Sequence, residues 1–280
     1  MRKALTQNVR HIVVKVGTSI LTKNGSFDKP MTVKLADEVC AFLKKKVRVA
    51  LVSSGAIGAG MTILKEKKRP KTMEGLQAAA AVGQRCLMQC YEEAFSKRGF
   101  STAQVLLTWE DLADPKRFMN AKRTLNEIRR RGIVPVINEN DTVATEEIRF
   151  GDNDRLSALI SILIETDALI ILSDTNGLYA DGHGSGKRLP VVEKVDSTVF
   201  RHVKDRKTDV TRGGMRSKLN AVLTCTSSGI PVFLADGRQK GVLKELFSGT
   251  DLGTFFPPVV KKGRLRKNWI YHFLNHVNVR

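Results

Sequence analysis

Two lysines in this sequence stand where a positive charge could face an anionic ligand. Lys15 interrupts the apolar segment His11–Val16 just before Gly17, and a charge inside a buried strand is costly unless it is paired or used. Lys218 follows the paired glycines of Gly213-Gly214 at the start of a helical pattern. Glycines let backbone N–H groups approach phosphate oxygens, and a helix start carries the positive end of the dipole. The pattern favours phosphate binding, although a snorkelling edge lysine and a glycine-capped helix remain open.

Carboxylate and amide residues form two further groups. The first contains Asn138, Asn140 and Asp141, the second contains Asp152, Asn153 and Asp154, and Asp174 stands apart. Their spacing differs from that of an EF-hand, and no set of histidine and cysteine ligands accompanies them. We therefore expect no metal held by the protein alone, although some of these residues could be helix caps, Asp152 in particular.

Glycine-rich segments elsewhere match neither standard phosphate-binding signature. The patterns GxxxxGK[ST] and GxGxxG are both missing. Ser53-Ser54-Gly55, together with Gly58 and Gly60, is instead interpreted as a turn that presents N–H groups and hydroxyls.

The elements that must position these residues alternate between short β-branched runs and longer helical patterns. Such alternation predicts an α/β fold, in which helices cover both faces of a mostly parallel sheet. The predicted strands are His11–Val16, Val47–Val52, Ala103–Leu107, Ile133–Ile137, Ala168–Leu172 and Ile230–Leu234, and the predicted helices are Pro30–Lys46, Thr72–Arg98, Pro115–Arg131, Asn153–Glu165 and Gly214–Ser227.

The polar strings follow directly after four of these strands. KVGTS ends the first strand, SSGAIGAG follows the second, NENDTV the fourth and SDTNGLY the fifth. In open α/β sheets, ligands bind at the carboxyl ends of the strands. We therefore expect the four strings to meet in one crevice, since ordinary turn chemistry explains one or two such strings but not all four.

Composition limits the class of protein. The chain has 280 residues and a formal net charge of +19, with its basic residues in scattered short clusters. Because no nucleic-acid-binding motif accompanies this charge, we expect solvated faces and attraction of anionic substrates, with no specific nucleic acid as partner. The four cysteines are expected to be reduced. No membrane span or secretion signal is recognised, so a cytoplasmic location is expected.

Taken together, the strings carry a family resemblance. KVGTS, SSGAIGAG, QAAAAVGQ, RFMNAKRTL, VPVINENDTVAT, GDND, SDTNGLY, GGMRSK and RKNWI resemble the glutamate 5-kinases, a branch of the amino-acid kinase family. The resemblance covers nearly the whole chain. It implies a three-layer α/β/α sandwich and ATP-dependent phosphorylation of the side-chain carboxylate of L-glutamate, the first step of proline biosynthesis, with Mg²⁺ carried by ATP.

The resemblance also implies roles for individual residues. Lys15 and Lys218 would flank the transferred phosphoryl group, with Asp154 orienting them. Glutamate would contact Ser54, Gly55, Asp141 and Asn153. The residues implied to bind the nucleotide are Lys15, Gly17, Ser173, Asp174, Arg212, Gly213, Gly214, Met215, Arg216, Ser217 and Lys218. An acceptor carboxylate is ionised at neutral pH, so the reaction needs no general base.

The resemblance leaves further expectations. Residues 1–258 would form the kinase domain, and 259–280 a basic extension on or beside it. The chain would lack the RNA-modifying-enzyme-like C-terminal domain of many bacterial relatives, and a homo-oligomer, dimer or tetramer, is expected. Proline is a possible feedback inhibitor. Arg212 replaces a residue that is usually small. A sister kinase with another acceptor and an inactive, basic kinase-fold protein remain as alternatives.

Overall fold

The structure, a computed structural model, describes residues 9–23, 26–143, 153–181, 186–203 and 214–259. Within these ranges the strands are β1 (His11–Val16), β2 (Thr22–Lys23), β3 (Ser26–Phe27), β4 (Arg48–Ser53), β5 (Thr102–Leu107), β6 (Val134–Glu139), β7 (Ala168–Ser173), β8 (Val232–Asp236) and β9 (Thr254–Phe256).

The helices of the same ranges lie mostly between these strands. They are α1 (Thr18–Leu21), α2 (Lys29–Lys44), α3 (Ala56–Ile63), α4 (Met73–Ser96), α5 (Trp109–Ala113), α6 (Pro115–Arg130), α7 (Asn153–Leu163), α8 (Ser197–His202), α9 (Met215–Ser227) and α10 (Val242–Ser248).

The main sheet runs in the order β5-β6-β4-β1-β7-β8-β9. Every neighbouring pair is parallel except β8 and β9, which are antiparallel. Strands β2 and β3 form a separate small hairpin. Because β6, β4, β1 and β7 are adjacent and parallel, the polar strings that follow them emerge at one edge of the sheet.

Two hydrophobic cores cover the two faces of the sheet. On β1, Val13 belongs to the core formed with α6, α7 and α9, whereas Ile12 and Val14 belong to the core formed with α2, α4 and α10. This alternation follows from the two-residue period of a strand. Lys15 therefore points to the α7 and α9 side. The three-layer α/β/α fold class is confirmed.

The predicted strands and long helices are all present, with ends shifted by no more than two residues. The hairpin, the antiparallel strand β9 and the shorter helices α1, α3, α5, α8 and α10 were not predicted. Each of these is short, so its hydrophobic period covers too few residues to be recognised.

The interpretation of Gly58 and Gly60 as part of a turn is wrong, because both lie inside helix α3. A Cβ atom on Gly60 would lie 1.8 Å from the carbonyl oxygen of Ala79 in α4, and one on Gly83 would lie 1.8 Å from that of Ala56 in α3. These glycines allow α3 and α4 to cross in backbone contact. Only Gly55, with φ of 108°, keeps the predicted turn conformation.

Candidate functional site

Three charged side chains from different elements meet at the carboxyl edge of the sheet. Lys15 Nζ lies 2.5 Å from Asp154 Oδ1, and Lys218 Nζ lies 3.2 Å from Asp154 Oδ2. Asp154 is fully buried, and the two lysines are 4% and 8% exposed. The structure thus brings together the three residues for which the sequence predicted a catalytic role, one from β1 and one each from the first turns of α7 and α9.

The electrostatics of this cluster favour an anionic ligand. Burial alone would raise the pKa of Asp154, but Lys15 and Lys218 outweigh it and hold that pKa below its usual value. Among the residues that the structure describes, two buried ammonium groups face this one carboxylate. Two cations held close together suit a negatively charged group that binds beside them.

Several residues predicted to bind the nucleotide lie at the ends of β1 and β7. The N–H of Gly17 donates to the carbonyl oxygen of Leu172 at 3.1 Å, which joins the ends of β1 and β7. Ser173 is buried, and its hydroxyl donates to the carboxylate of the exposed Asp174 at 3.1 Å. Gly237, after β8, donates its N–H to the carbonyl oxygen of Ser173. These contacts fix the loops at the ends of three adjacent strands.

Helix α9 begins at this edge. Gly214 is its extended N-cap residue, and among the residues that the structure describes no side chain caps the first N–H groups of the helix. The hydroxyl of Ser217 donates to Asp154 Oδ2 at 3.3 Å. Met215 packs against the core, and Arg216 is exposed, 5.8 Å from the ring of Phe200. Arg212 and Gly213 lie outside the described residues.

On the other side of Lys15, an amide network holds the residues predicted to bind the acceptor. The Nδ2 atom of Asn153 lies 2.9 Å from the Ser54 hydroxyl, 3.2 Å from the Ser53 carbonyl oxygen and 2.8 Å from Asn138 Oδ1. Asn138 Nδ2 in turn donates to Gln84 Oε1 at 2.9 Å. The network ties the start of α7 to the ends of β4 and β6.

Asp141 lies beyond the end of β6 and lines a cavity of about 560 Å³ between α4 and the edge strands. Burial raises the pKa of its carboxyl group to about 6, with Arg69 lowering it in part. Such a carboxylate is poorly stabilised as it stands, and a ligand cation would improve its environment. Asp152, the other acidic residue considered beside Asn153, lies outside the described residues.

Sequence reasoning missed two polar residues behind this site. Gln84 lies inside the apolar-looking string QAAAAVGQ, and Tyr91 shares a 2.8 Å hydrogen bond with the Ser53 hydroxyl. Both belong to α4, which was predicted as a helix without polar function. An uncharged amide among small residues on a buried helical face is the signal that could have identified Gln84.

The described part of the chain contains no cluster of three histidine, cysteine or acidic residues arranged to hold a metal ion. A search of the same ranges finds no helix that is long and apolar enough to cross a membrane. All four cysteines are unpaired, and Cys40, Cys90 and Cys225 are buried.

Comparisons with known proteins agree with this geometry. The model of the amino acid kinase family matches residues 10–236. A Syntrophotalea carbinolica protein named glutamate 5-kinase is 44% identical over 96% of this chain and 73% of its own length. Glutamate 5-kinases of Trichlorobacter lovleyi and Moorella thermoacetica are 42% and 43% identical, over 98% and 96% of this chain and 74% and 72% of theirs.

The fold is also found in a solved structure. The UMP kinase of Bacillus anthracis superposes with a TM-score of 0.60 at 13% identity, covering 90% of this chain and 97% of that one. At this identity the likeness shows the fold alone, and it agrees with the three-layer architecture described above.

Proposed function

We propose that this chain, which belongs to the amino acid kinase family, transfers the γ-phosphoryl group of ATP to the side-chain carboxylate of L-glutamate. The products are ADP and γ-glutamyl phosphate, and the reaction is the first step of proline biosynthesis. The relatives that share 42–44% of its residues are named for this activity.

The observation that carries the proposal is the buried cluster of Lys15, Asp154 and Lys218, in which two ammonium groups lie beside one carboxylate. Negative charge spreads over the phosphoryl oxygens in the transition state, and preorganised cations stabilise it there. Asp154 holds both ammonium groups in place before the substrates arrive. An acceptor carboxylate that is already ionised requires no general base.

Binding of the two substrates divides at β1. Strand β4 with Ser54 and Gly55, β6 with Asp141, and the Asn153 amide would hold glutamate on one side. The nucleotide would lie on the other side against Gly17, Ser173, Asp174 and the segment 212–218. These assignments rest on the positions of the loops around Lys15 and on the matching motifs.

ATP is the phosphoryl donor in this proposal, and Mg²⁺ accompanies it. The family resemblance implies that the ion is held by the phosphate oxygens of ATP. When bound, it neutralises phosphate charge. Residues 1–258 as the kinase domain, a homo-oligomeric state and inhibition by proline remain predictions. A cytoplasmic location is proposed because the cysteines are unpaired and the donor is ATP.

An ATP-dependent hydroxamate assay tests the function, since hydroxylamine traps an acyl phosphate. We expect signal with L-glutamate and little with L-aspartate or N-acetyl-L-glutamate. Signal with a different acceptor alone would move the assignment to a sister kinase. Absence of signal with every acceptor would favour an inactive kinase-fold protein.

A further inference from the structure

The amide groups of Gln84, Asn138 and Asn153 can be oriented in only one way. The N–H of Glu139 lies 2.9 Å from Asn138 Oδ1 and can only donate, so the oxygen of the Asn138 amide must face it. The Asn138 nitrogen therefore faces Gln84, which must present its oxygen. A backbone N–H group thus determines which atom of each of the three amides is oxygen and which is nitrogen.

Each end of this network carries an unused polar atom. Asn153 Oδ1 and Gln84 Nε2 are both buried, and neither has a hydrogen-bond partner among the residues that the structure describes. One is an acceptor and the other is a donor. A buried polar group without a partner costs about 1–3 kcal/mol, so both atoms are suited to a ligand with complementary groups.

The position of Gln84 indicates which ligand group it would meet. Gln84 and Asp141 line the same cavity. If Asp141 pairs with the α-ammonium group of glutamate, as the proposed function requires, the α-carboxylate must lie close by, because both groups are bonded to one carbon atom. A fixed, buried N–H₂ donor near Asp141 is complementary to that carboxylate.

We propose that Gln84 determines specificity for the amino-acid headgroup by donating from Nε2 to the α-carboxylate of the acceptor. Its Oε1 atom is fixed by Asn138, so the donor is preorganised and loses little entropy on binding. The inference rests on the proposed function, since it takes glutamate as the acceptor.

The variant Gln84→Glu tests the role of the donor. Its carboxylate can still accept from Asn138, so the network is kept, but the donor becomes a negative charge that faces the substrate carboxylate. We expect KM for glutamate to rise on the order of 10²-fold, with kcat and KM for ATP unchanged. Gln77→Glu is the control, because it adds the same charge two turns earlier on α4, outside the cavity lining.

L-Isoglutamine separates direct contact from a general structural effect. Its α-carboxylate is replaced by a carboxamide, while its γ-carboxylate remains available for phosphorylation. The new carboxylate of Gln84→Glu can accept from that carboxamide, so the preference for glutamate over isoglutamine should fall steeply in this variant. An equal loss for both acceptors, or a KM for glutamate like that of Gln77→Glu, would overturn the proposal.

A wild-type enzyme without hydroxamate signal would contradict the proposed function rather than this inference. The thermal shift caused by glutamate then gives a separate measurement. We expect the wild type to be stabilised by glutamate and Gln84→Glu not to be stabilised. Equal stabilisation of both proteins would refute the role of Gln84 without reference to catalysis.

Discussion

Replacing Lys218 by methionine should separate catalysis from folding. Methionine keeps most of the length of the side chain but removes the ammonium group that lies 3.2 Å from Asp154. Asp154 keeps Lys15 at 2.5 Å, so no buried charge is left without a partner. The contact to Asp154 is a hydrogen bond to a charged group, and its loss should lower the free energy of unfolding by about 2 kcal/mol.

The effect of this variant on the reaction should be larger. One of the two ammonium groups beside Asp154 disappears, so less positive charge is available to stabilise the transferred phosphoryl group. Loss of one preorganised stabilising group typically lowers kcat on the order of 10²- to 10³-fold. KM for ATP should change much less, because the lysine acts mainly on charge that develops in the transition state. Steady-state ADP release with glutamate and saturating ATP measures both constants.

Lys122→Met is the matched control. Lys122 also forms an ion pair, with Glu165 at 2.9 Å, but both side chains are partly exposed. Glu165 follows the far end of α7, roughly 16 Å along the helix from the site. This exposed pair should contribute about 0–1 kcal/mol to stability and nothing to kcat. If Lys218→Met keeps a normal kcat, or if both variants lose activity equally, the role assigned to the cluster is wrong.

Two further predictions concern the carboxylates of the site. Below about pH 6, where Asp141 becomes protonated, KM for glutamate should rise by roughly tenfold per pH unit. The variant Asp141→Asn should show a high KM for glutamate without this pH dependence. An unchanged KM in this variant would place Asp141 outside the acceptor site. Asp154→Asn should lower the free energy of unfolding by about 3–5 kcal/mol, because two buried lysines lose their counter-charge. The folded state lowers the pKa of Asp154, so this stabilisation is present above the unfolded pKa of about 3.9 and is lost as pH falls below it. Urea titrations of the wild type and Asp154→Asn at several pH values measure the difference in stability. A difference that persists in acid would contradict this account.

Much of the fold could be predicted because its long elements carry clear signals. The buried strand β1 has an unambiguous period, and helices α2 and α6 carry Pro30 and Pro115 in their first turns as start signals. Helix α3 could not be predicted in this way. Its glycines resemble turn residues, and their actual use, close contact with α4, depends on a partner that lies distant in the sequence.

The candidate site could also be predicted only in part. Lys15 was recognisable because it is a charged residue inside a buried strand. Lys218 was recognisable because it follows paired glycines at the start of a helix. Of the amide network, Asn138 and Asn153 were recognised as candidates, but Gln84 and the hydrogen bonds that connect the three were not. Gln84 acquires its role only because α4 crosses beside β6 and because the N–H of Glu139 fixes the direction of Asn138. Such geometry depends on three elements, and no local sequence pattern specifies it.

The position of β1 is consistent with one cluster acting between two substrates. Its neighbours in the sheet are β4, which leads to the proposed acceptor site, and β7, which leads to the proposed nucleotide site. Lys15, near the end of β1, is therefore close to the line along which a phosphoryl group would pass between them. If the acceptor is an anion, as proposed, the chemical difficulty is repulsion between two negative partners, and two buried ammonium groups near that line would reduce it. In the same proposal, selection of the acceptor comes from the β4 and β6 side, where the Gln84 amide would meet the carboxylate and Asp141 the ammonium group of an amino-acid headgroup.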